Sequence, residues 1–250
     1  MFLINKNRPF ITNAEIIEWD IRSADTSIIE YFNLMDQKKI NKLNKLSKSK
    51  RNRAVGILRQ NKEFSKNLEN GFKLMVEKFI EENNLEEWDI LSIKRDAVFV
   101  VNTDIRIKDI GCVHFIPKNT YFASIIIPRY EFYVPWNNTI DVKGISDECL
   151  EFHKDGILSF IRTIIDLYGS GNSDNKIALH RYLAEFVQRY KEKQLPLEYY
   201  RKFDSYSQFE VDYGDGNFAL RNHITESDLD DLNILFNYQN VILPIIQLFV

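Results

Sequence analysis

The segment from Glu15 to Met35 limits the folds open to this chain more than any other, because its apolar period changes midway. Ile17 and Trp19 alternate with Glu18 and Asp20, the two-residue repeat of a strand with one buried face, and Asp20 falls at its end. Ser23, Asp25, Thr26 and Ser27 then offer capping side chains ahead of Ile28, Ile29, Phe32 and Leu34. The pattern predicts a strand that turns directly into a helix. A carboxylate at that turn can ligate a metal ion, or it can simply be the turn-forming Asp common at strand ends.

A second segment, Trp88 to Val101, bears on the choice. Ile90, Leu91 and Ile93 precede a charged centre, Lys94-Arg95-Asp96, and Ala97, Val98, Phe99, Val100 and Val101 follow it. Two β-forming runs around three charges predict a hairpin with the charges at its tip. An isolated buried charge is costly, so Asp96 needs a partner, water or a metal. If the strand ending at Asp20 lies beside this hairpin, two carboxylates meet at one sheet edge. They repel unless a divalent cation lies between them.

Both segments resemble motifs of family B DNA polymerases. Asp20 to Ile29 (DIRSADTSII) is similar to the first palm motif, D-x-x-S-L-Y-P-S-I-I, matching at Asp20, Ser23, Ser27, Ile28 and Ile29. Arg95 to Val100 (RDAVFV) resembles the second half of Y-G-D-T-D-S-V-F-V, with Asp96 at the second Asp. Lys66-Asn67-Leu68-Glu69-Asn70-Gly71 is similar to the fingers motif K-x-x-x-N-S. Pro117 to Tyr121, with Lys118 and Tyr121, resembles the strand that grips the primer, and Lys143-Gly144 the K-G between palm and thumb. The matches keep the family's order across roughly residues 15–165. In general appearance the chain is also similar to phage-encoded proteins.

The resemblance implies an α+β fold: an antiparallel palm-like sheet over 1–145, a basic fingers-like helical insertion near 33–82, and a helical thumb-like module over 146–250. It implies Asp20 and Asp96 as catalytic ligands of Mg²⁺ or Mn²⁺. Arg59, Lys62, Lys66, Asn70 and Asp25 would face a nucleoside triphosphate, and Lys118, Tyr121, Lys143 and Gly144 primed DNA or another nucleic acid. The departures fall in the same motifs. Lys94 stands at the first Asp of D-T-D, Asp25 at the Tyr that screens the nucleotide sugar, Thr26 at the Pro, and Lys73-Leu74 where the fingers motif has Tyr-Gly. The 19 residues ahead of Asp20 are too few for the family's exonuclease domain.

Net charge is −3, with 18 Phe, 12 Tyr and few Gly or Pro, the composition of a folded protein with ample core. Cys112 and Cys149 have no pairing or ligand spacing, which suits a reducing compartment. MFLINKNRPF is too short an apolar stretch for a signal peptide, and no run nears the ~20 apolar residues that span a bilayer, so cytoplasm is expected and no membrane partner. From Lys38 to Lys66 there are eleven Lys or Arg and one acid, Glu63, a balance that suits phosphates or a solvated helix face. Ile40, Leu43 and Leu46 keep helical spacing, Ser47 to Asn52 breaks it, and Val55 to Phe64 resumes it. A basic helix, a turn and a second helix to Glu82 are predicted.

Downstream, strands are expected at 111–115, 121–128 and 130–134, with Cys112 and His114 packed in the core rather than forming half a metal site. Trp136 to Gly144 is turn-rich, and a long helix is predicted from Ser146. Gly169 to Ser173 reads as a link without the neighbours of a phosphate loop. A second helix carries Leu179, Leu183 and Phe186, and Pro196 starts a third. Tyr213-Gly214-Asp215 imitates a catalytic hairpin, but Asp215-Gly216 is the signature of a tight β-turn. The terminal VILPIIQLFV is read as buried; Gln247-Leu248-Phe249 also resembles peptides bound by sliding clamps. Three functions follow: template-directed nucleotidyl transfer, a polymerase-like nucleic-acid-binding or replication-accessory subunit without chemistry, or a phage protein-interaction module of the host-takeover or inhibitor type.

Overall fold

Strand β2 (Phe10–Ile21) leads through the turn at Arg22 and Ser23 into α1 (Ala24–Tyr31), and near its end Glu18 and Trp19 are both buried, where the expected alternation buries only Trp19. The computed structural model describes residues 2–136, 139–169, 173–204, 208–212, 218–225 and 237–250. It is mixed α+β, with an antiparallel sheet and eight helices among the described residues. Two compact units divide the chain: Met1–Arg8 with Ala14–Tyr121, and Pro9–Asn13 with Phe122–Val250.

In the first unit the predicted hairpin is present. β3 (Ile90–Lys94) and β4 (Ala97–Val101) pair antiparallel across a two-residue turn, Lys94 opposite Ala97. β4 then pairs with β2, so Trp19 faces Val98 and Asp20 faces Ala97. β1 (Phe2–Ile4) adds to β3, while β6 (Val113–Ile127) lies on the far side of β2 and takes a short partner, β5 (Asp109–Ile110). β6 is one strand where two were predicted, with Pro117 inside it. Trp19, Ile93, Val98 and Val100 turn one face toward the helices and pack with Ile28, Ile29, Leu68, Phe72, Met75 and Phe79. Full burial of each such side chain stabilises by about 1.5–3 kcal/mol.

The insertion has three helices rather than two: α2 (Gln37–Asn44), α3 (Lys48–Leu58) and α4 (Lys62–Glu82). α3 covers the stretch where the apolar pattern lapses. One turn falls just before it, at Lys45–Ser47, and a second at Asn61, whose side chain accepts hydrogen bonds from the Glu63 and Phe64 amides and starts α4. Gly71 lets α1 and α4 approach closely, since a Cβ there would stand 2.6 Å from Ile28 Cγ2. Cys112 and His114 are exposed, correcting the expectation that they pack in the core. His114 Nδ1 lies 2.6 Å from Asp109 Oδ1 at the β5–β6 turn.

In the second unit, the end of β6 pairs with β7 (Tyr130–Val134), which pairs with β8 (Asp141–Lys143). The predicted long helix is broken: α5 (Asp147–Leu150), capped by Ser146, is separated by a tight turn from α6 (Ile157–Gly169). α7 (Ser173–Lys191) follows as expected. β9 (Phe209–Asp212) and β10 (Phe218–Arg221) form an antiparallel hairpin, and its turn with Tyr213 and Asp215-Gly216 lies outside the described residues, as do 170–172 of the link. The chain ends in α8 (Leu243–Ile246), and Leu248 and Phe249 pack on this unit's core. Phe249 meets Phe10 with ring centres 4.9 Å apart. The Gln247–Phe249 peptide is therefore part of the fold, not a free extended tail. No helix among the described residues is long and apolar enough to cross a membrane.

Candidate functional site

The turn from β2 into α1 is held in a conformation most side chains avoid. Ser23 has φ 52° and ψ 44°, the left-handed region, at a cost of about 1–2 kcal/mol for a residue with a Cβ. Local bonds offset it. Thr26 Oγ1 donates to Ser23 O at 3.0 Å, Ser27 Oγ to Arg22 O at 2.8 Å, and the Arg22 amide to His114 O on β6 at 2.9 Å. Ser23 makes no side-chain cap bond, unlike the capping expected of it.

This turn meets the hairpin tip. The Ile21 amide donates to Asp96 O at 3.2 Å, so Asp20 and Asp96 occupy neighbouring strand ends. Both line a cavity of about 430 Å³, with Asp25 and the cations Arg22, Lys48, Arg51 and Arg95. Burial pushes the Asp96 carboxyl up to about 6. The Asp20 charge adds to the rise, Asp25 adds less, and Lys118 opposes it.

Around this edge the carboxylates differ in their partners. Asp25 accepts from Arg59 Nη2 at 2.6 Å and Arg95 Nη2 at 2.9 Å, while Glu69 Oε1 accepts from Arg59 Nη1 at 3.2 Å and Arg95 Nε at 3.1 Å. Four charges thus close a ring that ties α1, the end of α3, α4 and the hairpin turn together. Arg95 itself has φ 43° and lays its guanidinium 4.0 Å from the centre of the Phe72 ring. Glu18, 2 % exposed, accepts from Asn119 Nδ2 at 2.8 Å, Tyr121 Oη at 3.0 Å and Lys118 Nζ at 3.3 Å. The same ammonium stands 3.1 Å from Asp20 Oδ2.

The structure therefore brings Asp20, Asp96 and Asp25 to one cavity and Lys118 to its acidic wall. Arg59 is in the ion-pair ring, and Lys62, Lys66 and Asn70 are exposed on α4 away from the cavity lining. Tyr121 is buried on Glu18. Lys143 and Gly144 belong to the second unit. Lys143 Nζ pairs with Asp141 Oδ2 at 2.9 Å, and Gly144 has φ 101° where a Cβ would also meet Arg129 O at 2.3 Å. Glu18, Glu69, Arg22, Lys48, Arg51 and Arg95 were not singled out from sequence. Lys48 and Arg51, three apart in the basic run, carried the one usable signal.

Among the described residues no three His, Cys, Asp or Glu side chains group to hold a metal. Two carboxylates with hard oxygen donors nonetheless suit Mg²⁺, which is commonly held by one or two protein carboxylates together with substrate phosphates.

The fold and this edge define an α+β protein with a charged cavity at a strand-to-helix turn. Residues 2–250 match the family model described as Bacteriophage PBS1 gene 130 protein, and the chain belongs to that phage family. No curated protein matches it.

Proposed function

We propose that the first unit binds the phosphate of a nucleotide or nucleic-acid end in this cavity, and that nucleotidyl transfer on primed nucleic acid is its reaction. The observation that carries the reading is the meeting of Asp20 and Asp96 beside Arg22, Lys48, Arg51 and Arg95. Asp20 and Asp96 alone would repel a phosphate; with Asp25 already paired to Arg95, the three cations Arg22, Lys48 and Arg51 offset them and leave the two acids for a divalent ion. Asp20 and Asp96 would hold Mg²⁺ or Mn²⁺, which supplies a Lewis acid and lowers the pKa of an attacking hydroxyl. Arg22, Lys48 and Arg51 would orient phosphate oxygens. Arg95, fixed by Asp25, Glu69 and Phe72, would present a planar donor edge that needs no reordering.

Extension of a labelled primer in Mg²⁺ or Mn²⁺, lost in both Asp20→Asn and Asp96→Asn, is the expected result. Salt-sensitive binding of primed DNA without extension, unchanged by those substitutions, points to a polymerase-like binding subunit instead. One observation favours that second reading: Lys118 already stands 3.1 Å from Asp20 Oδ2. No binding at low salt removes both.

A further inference from the structure

Glu18 and Asp20 are two apart on β2, so their side chains leave the same face about 7 Å from each other along the strand. One ammonium can bridge that span, and Lys118 does so. Its Nζ lies 3.3 Å from Glu18 Oε1 and 3.1 Å from Asp20 Oδ2. The other Glu18 oxygen accepts from Asn119 and Tyr121. Glu18 has 3 % of its side chain exposed, against 49 % for Lys118. The buried acid is therefore the fixed anchor and the lysine is what it positions.

We propose that Lys118 is a tethered cation: held by Glu18, its ammonium neutralises Asp20 and confines the Asp20–Asp96 edge to a single divalent ion. The inference rests on the reading that these two acids hold a metal, and it assigns Lys118 a task other than gripping nucleic acid. An ammonium in contact with one carboxylate repels a divalent ion from it and takes up the oxygen lone pairs it needs. Asp96 then bears most of the coordination, and Asp20 is freed only when the lysine leaves. Lys118 is a positioning residue here, because it acts through Asp20.

The test is Mn²⁺ binding alone, followed by electron paramagnetic resonance of free Mn²⁺ on the full chain without nucleic acid. Wild type is expected to take one ion, with affinity at least tenfold weaker in Asp96→Asn. Lys118→Met, and Lys118→Gln as a second neutral variant, should bind Mn²⁺ at least tenfold more tightly or take a second ion. Asn119→Ala removes a donor from Glu18 while keeping the lysine, so it loosens the tether and should raise the affinity by less than the Lys118 variants do. Equal affinity in wild type and both Lys118 variants, with Asp96→Asn still weak, overturns the inference and leaves the metal reading standing. A larger gain in Asn119→Ala than in the Lys118 variants also overturns it, because the ammonium's charge would then not be the cause. Mn²⁺ binding indifferent to Asp96→Asn, or absent from every variant, removes the metal reading and the inference with it.

Discussion

At the edge of the first unit, Asp96 is partly buried beside Asp20 and Asp25, and burial with their charges lifts its carboxyl to about 6. In the second unit His153 is fully buried with its ring 4.8 Å from that of Phe203, and burial pushes its imidazole down to about 4. Both groups are perturbed, but their surroundings differ. Asp96 lines an open cavity with Arg22, Lys48, Arg51 and Arg95. His153 is shut in by Phe203 and the aromatic cluster, and burial outweighs every other influence on it. A displaced pKa marks a candidate site only when charged neighbours and open space accompany it. Tyr190 makes the same point as His153: burial among Phe186, Tyr200 and Tyr238 raises its phenol.

The largest expected effect tests whether the second unit is held by those rings. Phe203 packs against Tyr130, Phe132 and His153, so Phe203→Ala should lower its stability by about 4 kcal/mol in urea unfolding. Asp20→Asn at the first unit's edge should change stability by less than about 1 kcal/mol. Equal losses would erase the contrast between a packed core and a ligand edge.

Next comes acid, which should act on the two units with opposite sign. His153 has an ordinary value of 6.5 and a folded value of about 4, so between them the unfolded chain binds more protons. Stability of the second unit is then fully present above 6.5 and is lost as pH falls toward 4, by about 3 kcal/mol in total. His153→Leu should flatten that slope in denaturant titrations run from pH 7 to 4.

For Asp96 the sign reverses. Its ordinary value is 3.8 and its folded value about 6, so the folded chain binds more protons between them and stability falls as pH rises through that window. Because the group is partly solvated, the change is discounted to about 1–2 kcal/mol. In EDTA, Asp96→Asn should remove the slope and gain about 1 kcal/mol at pH 7. A first unit that instead gained stability from pH 4 to 6 would mean that Asp96 is already compensated.

Much of the fold around the site was legible because it is local. Alternation at Ile17 and Trp19 and two β-forming runs around Lys94-Arg95-Asp96 give the strand and the hairpin, whereas the pairing of β2 with β4 that sets Asp20 beside Asp96 was only a condition in the sequence and comes from the fold. Glu18 was not legible. Period-two alternation puts it on the polar side of β2, whereas its donors arrive from Lys118, Asn119 and Tyr121, about a hundred residues on. The Arg59–Asp25–Arg95–Glu69 ring was hidden for the same reason, since it joins four segments that no spacing rule relates. The helical run breaks twice, at Lys45–Ser47 just ahead of the lapse in apolar spacing and again before α4, where the Asn61 side chain caps the new helix.

The smallest effects on stability, and the sharpest on the site, concern which lysines meet phosphate. The basic run suggests Lys62 and Lys66, yet both are exposed near the start of α4, while Lys48 and Arg51 line the cavity with Asp20 and Asp96. Replacing any of the four by Gln should shift stability by no more than about 0.5 kcal/mol. Binding to primed DNA should separate them. Each phosphate contact contributes about 0.9 to the slope of log affinity against log salt. Lys48→Gln and Arg51→Gln should each lower the slope by that amount, and Lys62→Gln and Lys66→Gln should leave it in place. The reverse pattern would run the nucleic acid along α4 and away from Asp20 and Asp96, separating the binding surface from the acids and leaving the cavity edge without a substrate.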